Sequence, residues 1–330
     1  MAFTWTDRLE DVSRAEWDSV LFASDRPSPF LSRQFLVPWA RAFAAGRRVR
    51  VGRWEGGGRA RGFVFLCRRA DSAGWEMMGG EDVADSLDAA VVKGDEGAFW
   101  DAFLRSSREL VAEGPMSFPN VVAGAPTLAV LPPLCRALGY ALSVEETDRS
   151  PFVPLPDSYE SYVASLGKKD RHELRRKERR AGEALPGMSY RVVGTREELA
   201  RDFPAFVSLH RRSHPEKRDF MDDGMAAFFR EVAEEFLGAG WLRLAFLSAG
   251  AEDVAAALQL SWRGALLLYN SGFDTERREA SPGLILLARC IEDAIRLGMR
   301  EYDFMRGRER YKYDLGGRDR IVYRATVRLP

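Results

Sequence analysis

The chain has 330 residues, 46% hydrophobic and 30% charged, with 49 basic and 49 acidic side chains and no net charge at pH 7. That length and apolar content suffice for a buried core and for two domains, and the balanced charge argues against generic polyanion binding. Three widely spaced cysteines, Cys67, Cys135 and Cys290, form no Cys-x-x-Cys pair, which argues against a disulfide framework or a zinc site.

The first residues carry early acids and no apolar run, so no signal peptide is expected. No stretch approaches about 18 apolar residues, so no transmembrane helix is expected, and the protein reads as cytoplasmic. The first half reads as mixed α/β. Ser13 to Glu16 is a capping-box pattern that opens a helix. Ser32 caps a second helix with Phe35, Leu36, Trp39 and Phe43 at helical spacing. Strands follow at Val49–Trp54, Gly62–Arg69 and Gly74–Met78, the first two joined through Gly56-Gly57-Gly58. A helix near Glu96–Leu110, a strand near Met116–Val122, a helix near Thr127–Leu138 and a strand near Ala141–Val144 complete this half.

Three prolines, Pro151, Pro154 and Pro156, mark a boundary or an edge-strand crossing. The domain border is placed there, giving residues 1–150 and 151–330. Helices are expected over Ser158–Leu166, Lys168–Ala184, from the capping box at Thr195 to His210, and over Asp223–Leu237. Strands are expected at Trp241–Ser248, Val254–Trp262 and Ala265–Ser271, the last two a hairpin turning at Arg263-Gly264. A helix then runs from Ser281-Pro282-Gly283 to about Leu297, with Ser281 as N-cap and Pro282 at the first helical position. Short strands at Glu301–Phe304 and Arg320–Val327 close the chain.

The strand ending in Tyr269-Asn270-Ser271-Gly272, the polar loop after it and the helix opening at Ser281 make an anion site in principle. The free amides and the dipole at a helix start both favour a phosphate. Simple packing of a helix on a sheet gives the same pattern.

The run from Ser281-Pro282-Gly283 through Tyr302-Asp303-Phe304 and Gly307 to Tyr311-Lys312 resembles the closing signature of FemAB-like and CelD-type (BcsL, cellulose-biosynthesis-type) acetyltransferases of the GNAT superfamily. Leu209-His210 and the arginine-rich helix Arg171–Arg180 belong to the same resemblance, which spans most of residues 155–315. It implies an α+β protein with a GNAT-like mixed, splayed sheet and flanking helices, two such domains in tandem. It implies that acyl-CoA lies between two parting strands with its pyrophosphate at a helix start, bound here by Gln259, Ser281, Gly283 and Leu284. The stretch Arg277–Gly283 departs from the standard GNAT phosphate motif, with one glycine and a proline. FemAB proteins proper use aminoacyl-tRNA.

Four side chains are candidates for catalysis. His210 is the natural general base near neutral pH, or a helix-end cation. Asp303, on the opposite strand face from Tyr302 and Phe304, orients an acceptor amine, acts as a base, or caps the following turn. Lys312 is one of only six lysines in an arginine-rich chain. By the resemblance it neutralises charge at the transferred carbonyl, where a cation stabilises a developing oxyanion; otherwise it is a solvated loop charge. Tyr269 either protonates a leaving thiolate, lines the acyl pocket or packs in the core. The cations Lys168, Arg171, Arg175 and Arg179 are a solvated face or dock an anionic acceptor, and nucleic acid is not expected.

The expected activity is transfer of an acyl group from acetyl-CoA or another acyl-CoA, without a metal, to an amine or hydroxyl of a cell-envelope or exopolysaccharide precursor. The C-terminal domain would carry it, with the N-terminal GNAT-like α/β domain binding acceptor or serving structure. The alternatives are a FemAB-type aminoacyl-tRNA-dependent transferase and a non-catalytic GNAT scaffold or carbohydrate-binding module.

Overall fold

The computed structural model of the chain describes residues 2–69 and 74–330. Two compact units emerge, one of Met1–Asp148 with Ile321–Pro330, the other of Arg149–Arg320. The elements of the first are β1 (Ala2–Thr6), α1 (Arg14–Ala23), α2 (Arg33–Phe43), β2 (Arg47–Gly56), β3 (Arg59–Arg69), β4 (Trp75–Met77), β5 (Ala90–Val91), α3 (Glu96–Ser106), α4 (Arg108–Ala112), β6 (Met116–Val122) and α5 (Pro126–Leu138). The chain enters the second unit within β7 (Ala141–Pro154). There it forms α6 (Tyr159–Ser165), α7 (Lys168–Ala184), β8 (Met188–Val192), α8 (Arg196–Ser213), α9 (Pro215–Phe220), α10 (Asp223–Gly238), β9 (Leu242–Ala249), β10 (Glu252–Trp262), β11 (Ala265–Phe273), α11 (Pro282–Arg296), β12 (Glu301–Asp303) and α12 (Arg310–Asp314). It returns to the first unit within β13 (Arg318–Arg328).

In the first unit the strand order is β1-β2-β3-β4-β6-β13. The second runs β8-β9-β10-β11-β12-β7. Residues 321–330, assigned from sequence to the C-terminal domain, thus belong to the first unit, because Val322–Val327 pair antiparallel with β6. Phe152–Pro154 of β7 pair instead with β12 in the second unit.

Turn chemistry sets both hairpins. Gly57 and Gly58 take positive φ between β2 and β3, and Arg263 (φ 52°) and Gly264 (φ 84°) do so between β10 and β11. Two successive positive φ values match the right-handed twist of paired strands. Thr195 forms both bonds of its capping box at the start of α8. In the second unit α11 lays Ile285, Cys290, Ile291 and Ala294 on Leu247, Ala255, Ala257, Leu266 and Tyr302, and Leu174 and Ala181 of α7 join the same core. A helix facing a sheet on one side and other helices on the other has only a narrow polar stripe.

Candidate active site

The site begins where two strands part. β11 and β12 run parallel, and within β11 the residues paired with β12 are Ala265, Leu266 and Leu267. On its other side β11 follows β10 to Phe273, through a shift in register that leaves Tyr269 as the extra residue. The second half of β11 therefore has no β12 partner. A cavity of about 300 Å³ lies there, lined by Ser271, Gly272 and Phe273 and by the first residues of α11, Ser281, Gly283 and Leu284. Lys177, Lys217, Tyr311 and Asp314 complete the side important for charge.

The start of α11 differs from the expected cap. Ser281 is left-handed (φ 53°, ψ 45°) and its side chain makes no capping bond. The sequence rule rests on residue type, whereas a side-chain cap needs the extended backbone that Ser281 lacks. The first helical amide bond runs from Ile285 to the Ser281 carbonyl at 3.1 Å. Pro282 has no N–H, so the amides of Gly283 and Leu284 are left without an acceptor inside the helix. Gly283 lies under the Phe273 ring, which a Cβ there would approach to 3.1 Å.

Lys217 was not singled out from sequence. Its ammonium donates to the Ser271 carbonyl at 2.6 Å, on the free half of β11. Burial holds its pKa below the usual lysine range; Lys312 adds to that effect and Glu309 opposes it. The signal for it was its rarity in an arginine-rich chain. Two lysines and two helix-start amides around one hollow suit a phosphate or pyrophosphate.

Gly272 fixes how α8 reaches this edge. A Cβ at Gly272 would overlap the backbone nitrogen of His210, so only glycine lets the helix cross so closely. That contact brings His210 Nε2 to 3.0 Å from Asn270 Oδ1. His210 is 1% exposed, and its Nδ1 is buried without a hydrogen-bond partner. Burial, with Lys217 and Arg211 adding to it, pushes its pKa down to about 4, so the ring is neutral near pH 7. With Nε2–H donating to Asn270, the Nδ1 lone pair stays bare.

The other candidates are placed apart from the cavity lining. Gln259 lies in the core, donating to Cys290 Sγ at 3.2 Å and accepting from the Tyr302 hydroxyl at 2.8 Å. The lone amide in an apolar strand thus joins β10, α11 and β12 instead of facing a cofactor. Tyr269 packs its ring on Phe229 of α10 at 5.1 Å. Asp303 accepts from the Met305 amide (2.8 Å), the Ser150 hydroxyl (3.2 Å) and Arg320 (3.0 Å). Burial raises its pKa to about 6 against the pull of Arg320. Lys312, expected on an exposed loop, is 2% exposed. It donates to the carbonyls of Met305, Arg306 and Gly307 at 3.1, 2.7 and 3.3 Å and pairs with Glu309 at 3.0 Å. Met305 takes a positive φ of 58°, and Asp303 and Lys312 hold its two sides. These two residues share a turn, while His210 is anchored on Asn270. None of the three is among the residues lining the cavity.

On the basic helix α7, Lys168, Arg175 and Arg179 are exposed, and Arg171 donates to the Ala164 carbonyl at 3.0 Å. A different stripe of α7, Lys169, His172, Arg176 and Lys177, faces a hollow. No cluster of three or more His, Cys, Asp or Glu able to hold a metal occurs among the described residues.

Residues 168–313 match the model of a family described as an acetyltransferase (GNAT) domain. No curated protein matches the sequence. Among solved structures, that of FemX aligns over 98% of this chain and 97% of its own at 12% identity, with a TM-score of 0.68. The C-terminal domain of a putative lysylphosphatidylglycerol synthetase from Agrobacterium fabrum aligns over 95% and 92% at 12% identity and 0.59. A tandem GNAT protein from the clavulanic acid biosynthesis pathway aligns over 100% and 99% at 14% identity and 0.53. The fold is the mixed α/β GNAT-like one, with two units. The matched domain, residues 168–313, is that of a transferase. No helix among the described residues is long and apolar enough to cross a membrane.

Proposed function

We propose that the second unit, Arg149–Arg320, transfers an acyl group from acetyl-CoA or another acyl-CoA to an amine or hydroxyl of a cell-envelope or exopolysaccharide precursor. This is the activity of a FemAB-like or CelD-type enzyme working in the cytoplasm. The carrying observation is the parting of β11 from β12 with a cavity at the start of α11. The residues suit the co-substrate: the Gly283 and Leu284 amides with Lys177 and Lys217 would hold its pyrophosphate. The bound thioester supplies an activated acyl carbon.

The chain's own groups then position and stabilise. Lys217 is the cation at the free strand edge and neutralises negative charge developing in the cavity. His210, through Asn270, fixes that edge. Asp303 and Lys312 act by holding the 303–309 turn, and Tyr269 and Gln259 by shaping the strand and core beneath the cavity. The first unit serves structure or the acceptor.

Titration calorimetry with acetyl-CoA tests the donor assignment. Saturable binding by the wild type, weakened at least tenfold in Lys217→Met, is expected. Absence of binding by a folded wild type would overturn it. The whole-length likeness to FemX favours a second reading, a FemAB-type transferase using aminoacyl-tRNA. Turnover with aminoacyl-tRNA and none with acyl-CoA would establish that one.

A further inference from the structure

Beside the donor cavity lies a second hollow of about 540 Å³, between α7, the first turn of α11, and α12. The two share three residues, Lys177, Leu284 and Asp314. The second hollow carries charge of both signs. Lys169, Arg176 and Arg310 line it with the shared Lys177, against Asp170, Glu173 and the shared Asp314. Glu173 is already engaged. Arg176 grips it with two hydrogen bonds of 2.7 and 2.8 Å and holds its pKa below the usual carboxylate range, with Lys177 and Lys169 adding to the effect. Asp314 is held loosely, 3.6 Å from Arg310, and is about one-third exposed. Lys169 is exposed and has no ion pair among the described residues.

We propose that this hollow is the acceptor subsite and that it takes an amine bearing a phosphate, such as an amino-sugar phosphate. The inference rests on the acyl-transfer reading above. The phosphate lies on Lys169, beside the Glu173-bound Arg176, and the ammonium on Asp314. The geometry carries it, because an acceptor must present its amine where the donor's acyl group arrives, and Asp314 is the carboxylate that borders both hollows. The Lys169 ammonium matches the point-charge mode of phosphate binding. These residues occupy a different stripe of α7 from Lys168, Arg175 and Arg179.

Three matched probes test this on the full-length protein by calorimetry: glucosamine 6-phosphate, glucose 6-phosphate and glucosamine. Glucosamine 6-phosphate should bind most tightly. Lys169→Glu should weaken both phosphate-bearing probes about tenfold, the loss expected for a charge-assisted contact, and leave glucosamine unchanged. Asp314→Asn should weaken both amine-bearing probes and leave glucose 6-phosphate unchanged. Equal binding of all three probes, no binding of any, or Lys169→Glu without effect would overturn the proposal. CoA and dephospho-CoA run in parallel keep the two readings apart. A wild type that binds neither removes the donor reading while the acceptor result stands. If Lys169→Glu weakens CoA and spares dephospho-CoA, the hollow holds the donor's 3′-phosphate and the acceptor subsite is refuted.

Discussion

Each unit runs an antiparallel strand pair into a helix and then into a strand parallel to the pair's second member. In the first unit these are β3, β4, α3 and β6; in the second they are β10, β11, α11 and β12. The two helices begin in opposite ways. Asp95 precedes α3 and Glu96 opens it; Glu96 accepts from the Gly94 amide at 2.9 Å and Asp95 pairs with Arg61. α11 has no acid in its first turn and two lysines nearby, and neither helix has a side-chain cap. A helix start already answered by its own carboxylates has little attraction left for an outside anion. The same local topology is thus closed in one unit and open in the other, and the difference lies in a handful of side chains.

The largest expected effect concerns how each unit packs a helix on its sheet. A Cβ at Gly272 would overlap the α8 backbone at His210, while one at Gly62 would overlap the Phe99 ring. Backbone cannot yield as a ring can. Gly272→Ala should cost at least about 3 kcal/mol in denaturant unfolding, and Gly62→Ala about 1 kcal/mol less. Equal losses would mean that α8 has room to shift.

Next come two lysines of the second unit, Lys312 buried and Lys217 half-buried. Lys312→Met strands three carbonyl contacts and Glu309, and should destabilise by about 2–3 kcal/mol. Lys217→Met, which loses a single carbonyl contact, should leave the unfolding midpoint nearly unchanged while acetyl-CoA affinity drops tenfold or more. Loss of affinity in a fully folded Lys312→Met would exchange their roles. Because the Lys217 pKa is lowered, its ammonium is lost at a lower pH than an ordinary lysine's, so donor affinity should begin to fall at lower pH than in a site with an exposed lysine.

Ser281→Asp would give α11 the acid that α3 has. Aspartate tolerates the left-handed backbone at this position. About 0.3–1 kcal/mol of extra stability and a severalfold weaker acetyl-CoA affinity are expected. Unchanged affinity would separate the helix start from donor binding.

A pH slope is common to both units. Asp88 in the first and Asp303 in the second are each raised to about 6 by burial, from an ordinary value of 3.8. A carboxyl whose folded pKa is raised adds stability below its unfolded pKa, and that stability is lost as pH rises through the folded value. Stability should therefore decline between about pH 4 and 6, by up to about 3 kcal/mol per group. Asp88→Asn and Asp303→Asn should each flatten part of the slope. His210, lowered to about 4, acts in the other direction: its contribution is present above about 6.5 and is lost as pH falls towards 4.

Much of this framework was legible in the sequence. Alternating apolar residues and Arg263-Gly264 located the β10–β11 hairpin, and Ser-Pro-Gly located the start of α11 within a residue. What remained hidden depends on burial and backbone angle. Lys312 looks like a loop charge until three carbonyls surround it. Gln259 looks like a ligand contact until Cys290 and Tyr302 take both ends of its amide. Lys217 sits on a six-residue helix without a buried residue, so no periodicity marked it, and only the fold brings it to Ser271.

The crossing of β7 and β13 bears on synthesis and dissection. The first unit's sheet includes a strand made long after β6, so during translation β6 waits with one edge unmatched while the second unit is built. An unmatched edge is a template for wrong pairing. A cut at residue 148 or 149 deprives the first unit of β13 and leaves that strand's residues attached to the second. Fragments made at that border would be poor proxies for either unit, and circular permutants that join residue 320 to residue 149 would need a new home for β13.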